Sequence, residues 1–177
     1  MKQILSLLCL CLLLAGCTPK DTSFCTTGTS IQVPTGQIST VPELEEATTA
    51  PAVPATLYLP DDQAMWVESK TVTLDSCTAE ALIAQLAAHK VLPESVQVRS
   101  FSQEGQALFL DVSQEFGAHL SSMGTAGEFV TLASVVNTLL TAFDASSLTI
   151  TVEGSTLETG HAIYDYPLEW MPNPAAE

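Results

Sequence analysis

Basic side chains are scarce in this sequence of 177 residues. Five Lys and Arg stand against twenty Asp and Glu, which gives a net charge of −15 at pH 7. A surface this negative repels the phosphates of nucleic acids and the anionic headgroups of lipids. Nucleic-acid binding is therefore excluded as a function, and the sign of the charge favours cationic or polyhydroxylated partners.

Long hydrophobic runs are also scarce. The longest covers residues 4–14 and has 11 residues, whereas a helix needs about 20 apolar residues to span a bilayer. The length of this run, together with Lys2 before it, is typical of a secretory signal peptide. The run leads into Leu14-Ala15-Gly16-Cys17, in which small side chains precede a cysteine.

This ending resembles the lipobox of bacterial lipoproteins. The resemblance implies that residues 1–16 are removed as a signal peptide and that Cys17 carries a diacylglyceryl group. A plain signal peptide with an incidental cysteine, or an uncleaved core helix, are the alternatives. With two or more acyl chains, the mature chain is expected to stay attached to the extracytoplasmic face of the cell membrane without spanning it. It would keep four basic residues against twenty acidic ones.

Cysteines are few, and after cleavage only Cys17, Cys25 and Cys77 remain. Outside the cytoplasm a disulfide between Cys25 and Cys77 is permitted, and two free thiols are the alternative. The cysteines lack the CxxC spacing of a zinc site. The sequence therefore predicts neither a metal nor a cofactor.

Motifs of catalysis are also missing, since the chain has no GxSxG, P-loop, GxGxxG or HExxH pattern. Asp111 at a strand end, near Ser113 and Glu115, is a candidate carboxylate site for acid–base work or a cation. The favoured interpretation is that these polar groups end the strand and cap a local turn. For the pair Asp61-Asp62 after Pro60, a turn is likewise favoured over a metal site.

Three other kinds of polar group are candidates for chemistry. The histidines are scattered at positions 89, 119 and 161, and His89 is predicted to end a helix. Cys77, close to a helix start, is either an activated nucleophile or, as favoured, a buried or disulfide-bonded residue. Asn137 in the middle of an apolar helix is interpreted as a buried amide whose hydrogen bonds are satisfied. No catalytic residue is predicted.

After the predicted signal peptide, composition divides the chain into three parts. Residues 17–55 hold the cysteine to be lipidated and a stretch with nine Thr and five Pro, which cannot bury enough apolar surface to fold and is predicted to be a disordered tether. Residues 56–170 are predicted to form one domain, and residues 171–177 a tail.

Periodicity within the domain predicts the order ββ-α-ββ-α-β(β). Apolar residues alternate in the strands, as in Leu108, Leu110 and Val112, and recur at helical spacing after Thr78 and from residue 129 to 143. Gly105 is placed at a hairpin turn, and residues 117–127 are predicted to be a loop. The expected fold is α+β, a single two-layer sandwich with both helices on one face of a mixed sheet.

Several of these segments resemble the GerMN domain of spore-germination and sporulation proteins. The matching stretches are residues 56–61 (TLYLPD), 92–98 (LPESVQV), 107–116 (ALFLDVSQEF), 135–139 (VVNTL) and 152–154 (VEG). The resemblance covers residues 56–169 in one copy, and it departs from the family at residues 86–90 (LAAHK), where the family has a helix turn of the form LL.GP.

The resemblance implies a fold akin to the small ring-building modules of secretion and sporulation machinery, which act by packing against other proteins. The leading hypothesis is therefore a non-enzymatic, membrane-anchored interaction module for other envelope proteins or for further copies of itself, in sporulation, germination or envelope assembly. A cell-wall or small-ligand binding lipoprotein is the alternative, and a hydrolase is the third. A groove lined by aromatic residues would favour the alternative, and the candidates for its lining are Tyr58, Trp66, Tyr164, Tyr166 and Trp170.

Overall fold

The computed structural model describes residues 52–173. The predicted signal peptide, Cys17, Cys25 and the predicted tether up to residue 51 lie outside the described residues. The elements within the described range are, in order, β1 Val53–Pro60, β2 Val67–Leu74, α1 Ala79–Ala88, β3 Val98–Glu104, β4 Ala107–Val112, α2 Gln114–Ser121, α3 Thr125–Ala142, β5 Ser147–Val152, β6 Ser155–Glu158, β7 Ile163–Tyr164 and β8 Leu168–Glu169.

The main sheet is mixed. The hairpin of β3 and β4 turns at Gly105, whose φ of 60° is the positive value that a tight hairpin turn needs. Strand β5 lies parallel to β4, with Leu110 opposite Ile150. The other edge of β5 is shared, because β6 pairs with its last residues and β8 with its first.

Helix α1 forms as its sequence predicts. The Thr78 side chain accepts a hydrogen bond of 3.2 Å from the backbone N–H of Ala81, which caps the helix start. At the other end Lys90 has a φ of 64° and the Val91 N–H donates to the Leu86 carbonyl, so the helix closes in a Schellman motif. The predicted position of His89 at the end of the helix is confirmed.

Helix α3 is the centre of the domain. Its residues from Val130 to Leu140 are all buried, because the helix packs on β5 with one side while the β1–β2 hairpin packs on another. The hairpin is a separate two-stranded sheet. Its backbone is tied to the helix where the Tyr58 N–H donates to the Thr138 hydroxyl at 2.9 Å.

The α+β class is confirmed and the predicted order of elements fits in outline, but the structure adds helix α2 and the short strands β7 and β8. The predicted loop at residues 117–127 is wrong, since it contains most of α2 and the first turn of α3. Gly117 and its small neighbours suggested a loop because glycine is a poor helix former. Burial of Phe116 and Leu120, four residues apart on one face of α2, outweighs that preference.

Candidate functional site

A groove of about 550 Å³ lies between the first turns of α3 and the last described segment of the chain, residues 162–172. Aromatic rings line it on both sides, and they belong to Phe129, Tyr164, Tyr166 and Trp170. Tyr166 is 52% exposed, Trp170 47% and Phe129 37%. A contiguous group of exposed aromatic rings is the kind of surface that marks binding sites. We call it the aromatic groove.

The structure brings together three of the five aromatic residues that the sequence proposed for a binding groove: Tyr164, Tyr166 and Trp170. Tyr58 and Trp66 do not line the groove, but each ring contacts a ring that does. The Tyr58 ring meets Trp170 edge-on, at 5.1 Å between centroids and 85° between planes, and the Trp66 ring lies 5.7 Å from that of Phe129. Phe129 was missed as a lining residue, because its spacing in α3 indicated a core position.

The outer wall of the groove is fixed at two places. In β8 Leu168 is buried and pairs with Leu148 of β5. Further along, the side-chain amide of Asn137 donates to the Met171 carbonyl and accepts from the Met171 N–H, both at 3.0 Å. The prediction that Asn137 is a satisfied buried amide is confirmed. A wall held this way costs little to order on binding.

A buried carboxylate lies on the helical side of the groove, next to Phe129 in the sequence of α3. Glu128 is only 2% exposed. Its Oε1 accepts a hydrogen bond of 2.5 Å from the Tyr164 hydroxyl and one of 3.0 Å from the Thr159 hydroxyl. Its Oε2 is buried with no hydrogen-bond partner among residues 52–173. Burial, and then the bond to Glu128, raise the pKa of Tyr164 above its ordinary value.

The candidate carboxylate at Asp111 is held by hydrogen bonds to a turn, but this is the distant β5–β6 turn and not the local turn that the sequence favoured. Its Oδ1 accepts from the Thr151 hydroxyl and the Gly154 N–H, both at 2.7 Å, and its Oδ2 accepts from Arg99 Nε at 3.3 Å. The bonds from Thr151 and Gly154, followed by the charge of Arg99, lower the pKa of Asp111. The carboxylate therefore holds the β5–β6 turn to β4.

Ser113 and Glu115 interact apart from that turn, at the start of α2. The Ser113 hydroxyl accepts from the Gln97 N–H at 3.0 Å, and its hydrogen bond to Glu115 lowers the pKa of that carboxyl. The prediction of a turn at Asp61 is also confirmed, because its Oδ1 accepts from the backbone N–H groups of Met65 and Trp66.

Two of the histidines are bonded to backbone carbonyls. The ring of His119 bonds to the Val91 carbonyl at 3.2 Å, and that of His161 bonds to the Met123 carbonyl at 3.0 Å. Among residues 52–173 there is no group of three or more side chains suited to hold a metal ion. Cys77 is disulfide-bonded. A pairing with Cys25, which the sequence permits, falls on a residue outside the described range.

Comparison with known families gives a match over residues 56–158, more than half of the chain, to the model named Germane and described as "Sporulation and spore germination". The chain belongs to the Germane family. It contains a GerMN-family domain, as the resemblance of its segments implied. No curated protein matches the chain.

Two solved structures show the same fold. The tandem GerMN domains of the sporulation protein GerM from Bacillus subtilis align with a TM-score of 0.54 and 21% identity, over 75% of this chain and 50% of that one. The first GerMN domain of that protein aligns with a TM-score of 0.53 and 19% identity, over 66% of this chain and 97% of that one. A protein from Clostridium perfringens described as a candidate lipoprotein aligns with a TM-score of 0.41 and 16% identity, over 67% of this chain and 87% of that one.

The aromatic groove extends beyond the region that defines the family. The matched residues end at Glu158, whereas Tyr164, Tyr166 and Trp170 follow that residue. Only the helical side of the groove, with Phe129, falls inside the match. In the part of the chain that the structure describes, no helix has the length and apolar character to cross a membrane.

Proposed function

We propose that this protein is an extracytoplasmic lipoprotein whose GerMN-family domain acts, without enzymatic activity, as a docking module for another envelope protein in sporulation, germination or envelope assembly. The observation that carries the proposal is the aromatic groove, with its three exposed rings and its fixed outer wall. Rigid aromatic side chains bury much surface at a small loss of conformational entropy, which is why they dominate the energetics of protein interfaces.

Two observations support the location outside the cytoplasm. Residues 4–17 have the order of a lipoprotein signal, namely an apolar run, small residues and Cys17. The disulfide at Cys77 fits an oxidising compartment, because cytosolic proteins keep their thiols reduced. The anchor would then be the lipid on Cys17, with the domain held away from the membrane by residues 18–51.

Detergent phase separation and mapping of the N-terminus test the anchor. Native protein is expected in the detergent phase with Cys17 as its first residue, and the Cys17→Ala variant is expected to be neither acylated nor cleaved at that position. Recovery of the native protein in the aqueous phase, with a different first residue, would overturn the anchored part of the proposal and leave the domain assignment standing.

Site-specific photocrosslinking in living cells tests the docking role. A photoreactive residue at Tyr166, in the groove, is compared with one at Phe109, which is 40% exposed and faces away from the helices. The full chain labelled at position 166 is expected to form a discrete adduct with one protein, and this adduct is expected to be absent from the chain labelled at 109. Adducts that are equal at both positions, or missing at 166 in every growth phase, would refute the docking role.

A cell-wall or small-ligand binding function is the second candidate. It is favoured by the convergence of Tyr164, Tyr166 and Trp170, since sugar rings also stack on aromatic faces. Against it, the hydroxyl of Tyr164 is already bonded to Glu128, so this group is not available to a sugar. Sedimentation with purified peptidoglycan separates the two candidates, because only a wall-binding protein is pulled down and only such binding is lost in Tyr166→Ser.

A further inference from the structure

The charges of the domain are unevenly distributed around the aromatic groove. Residues 52–173 carry three basic side chains against fifteen acidic ones. None of the three basic residues lines the groove. Lys90 is ion-paired with Glu94 at 3.0 Å, and Arg99 is paired with Asp111.

The acidic side chains at or beside the groove are free of such partners. Glu169 lines the groove and is exposed, whereas Asp165, also exposed, is the sequence neighbour of Tyr164 and Tyr166 and does not line the groove. Neither carboxylate is in an ion pair among residues 52–173. The aromatic faces add to this negative potential, because a π system attracts cations over its face.

The exposed aromatic rings and the negative charge together favour some occupants of the groove over others. A second copy of the domain would bring the same excess of acidic groups to the contact. The chain's own residues 18–51 carry Asp21, Glu43, Glu45 and Glu46 against Lys20 alone, so they are repelled as well. Anionic lipid headgroups are disfavoured for the same reason. A peptide segment that presents apolar side chains next to Lys or Arg satisfies both the rings and the carboxylates.

We infer that the aromatic groove binds a segment of a partner protein in which an apolar anchor is flanked by basic residues. The anchor fills the space between Phe129, Tyr166 and Trp170, and the basic side chain lies over an aromatic face within reach of Glu169. This inference rests on the proposed docking function and adds to it the chemistry of the partner.

Selection of random heptapeptides displayed on phage, with the mature chain as bait, tests the inference without knowledge of the partner. The selected peptides are then synthesised and titrated into four variants. Two variants alter the groove, Tyr166→Ser and the charge variant Glu169→Gln. Two matched controls alter other surfaces, Phe109→Ser and the charge variant Glu104→Gln, which removes the same charge from an exposed position elsewhere.

We expect the selected peptides to combine aromatic or aliphatic residues with Lys or Arg. Their binding is expected to weaken about tenfold or more in Tyr166→Ser and about threefold or more in the groove charge variant. Both controls are expected to stay within about twofold of the unmodified chain. Higher salt is expected to weaken binding to the unmodified chain and to change binding little in the groove charge variant.

Three results would overturn the inference. Selected peptides without basic residues would show an apolar groove with no preference for cations. Equal losses in the two charge variants would show attraction by net charge alone. Selected peptides whose affinity is unchanged by Tyr166→Ser would show that they bind outside the groove. A specific crosslink from position 166 in cells is compatible with either of the first two results. The proposed function can therefore hold even where the inference about the partner's chemistry fails.

Discussion

Removal of the Asn137 side-chain amide is expected to release the outer wall of the aromatic groove. Asn137 is fully buried and makes two hydrogen bonds of 3.0 Å to the backbone of Met171. A buried hydrogen bond contributes about 0.5–1.5 kcal/mol net, and an orphaned backbone group costs more where water cannot reach it. Because Met171 is half-buried and its backbone can be rehydrated, we expect Asn137→Ala to lower the free energy of unfolding by about 2 kcal/mol.

Urea denaturation of the chain from residue 18 onward, followed by circular dichroism, measures this loss. With a slope of about 2 kcal/mol per molar urea for a domain of this size, the midpoint is expected to fall by about 1 M. In a Trp66→Phe background the emission of Trp170, the neighbour of Met171, is expected to shift to the red before global unfolding.

The matched control is Ser134→Ala, one turn earlier in α3. Ser134 is just as buried, but its hydroxyl bonds within the helix to the Val130 carbonyl, so its loss is expected to cost less than about 0.5 kcal/mol. If Asn137→Ala costs no more than Ser134→Ala, or leaves the emission of Trp170 unchanged, then the amide does not hold the wall and the groove is not preorganised in this way.

Three further predictions concern other parts of the domain. Glu153 adopts a φ of 51° in the β5–β6 turn, where Asn is better tolerated, so Glu153→Asn is expected to raise the thermal midpoint by a few degrees, for a gain of about 0.5–1 kcal/mol. The pKa of Asp111 lies below its ordinary value of 3.8 in the folded chain, so this group stabilises the fold above that pH and the contribution is lost as the pH falls through the folded pKa. Asp111→Asn is therefore expected to lower stability at neutral pH and to flatten its acid dependence in denaturation curves from about pH 2 to 6. Tyr164→Phe leaves the buried Glu128 carboxylate with one donor fewer, and calorimetry is expected to show a loss of about 2 kcal/mol at neutral pH that shrinks when Glu128→Leu is added.

The regular elements could be predicted because their patterns are local. Alternation in residues 108–112 marks β4, and Thr78 marks the start of α1 before any distant contact is known. Helix α2 could not be predicted on that basis. Its sequence has low helix propensity at Gly117, and the helix is stabilised by burial of Phe116 and Leu120 against residues distant in the chain.

The aromatic groove was predicted only in part, because its contacts are long-range. The three aromatic residues after Glu158 were singled out by type, but nothing local shows that Phe129 faces them. From the sequence alone, Glu128 is interpreted as an acidic residue in the first turn of a helix, where the helix dipole favours it. Its actual role depends on Tyr164, thirty-six residues later, and strands as short as β7 and β8 leave no periodic signal.

The polar groups of α3 explain how one helix holds the outer wall of the groove. An apolar helix buried on several sides has no solvent-facing stripe, so each polar residue on it must find a partner inside the domain. The Thr138 hydroxyl accepts a hydrogen bond from the Tyr58 N–H in β1, and the Tyr58 ring contacts the Trp170 ring. The Asn137 amide is bonded to the backbone of Met171, the residue after Trp170. These adjacent helix positions therefore fix Trp170 from two directions. Binding in the groove and stability of the α3 contacts are consequently coupled, so a ligand that fits the groove is expected to raise the unfolding midpoint by an amount that disappears when Asn137 is replaced.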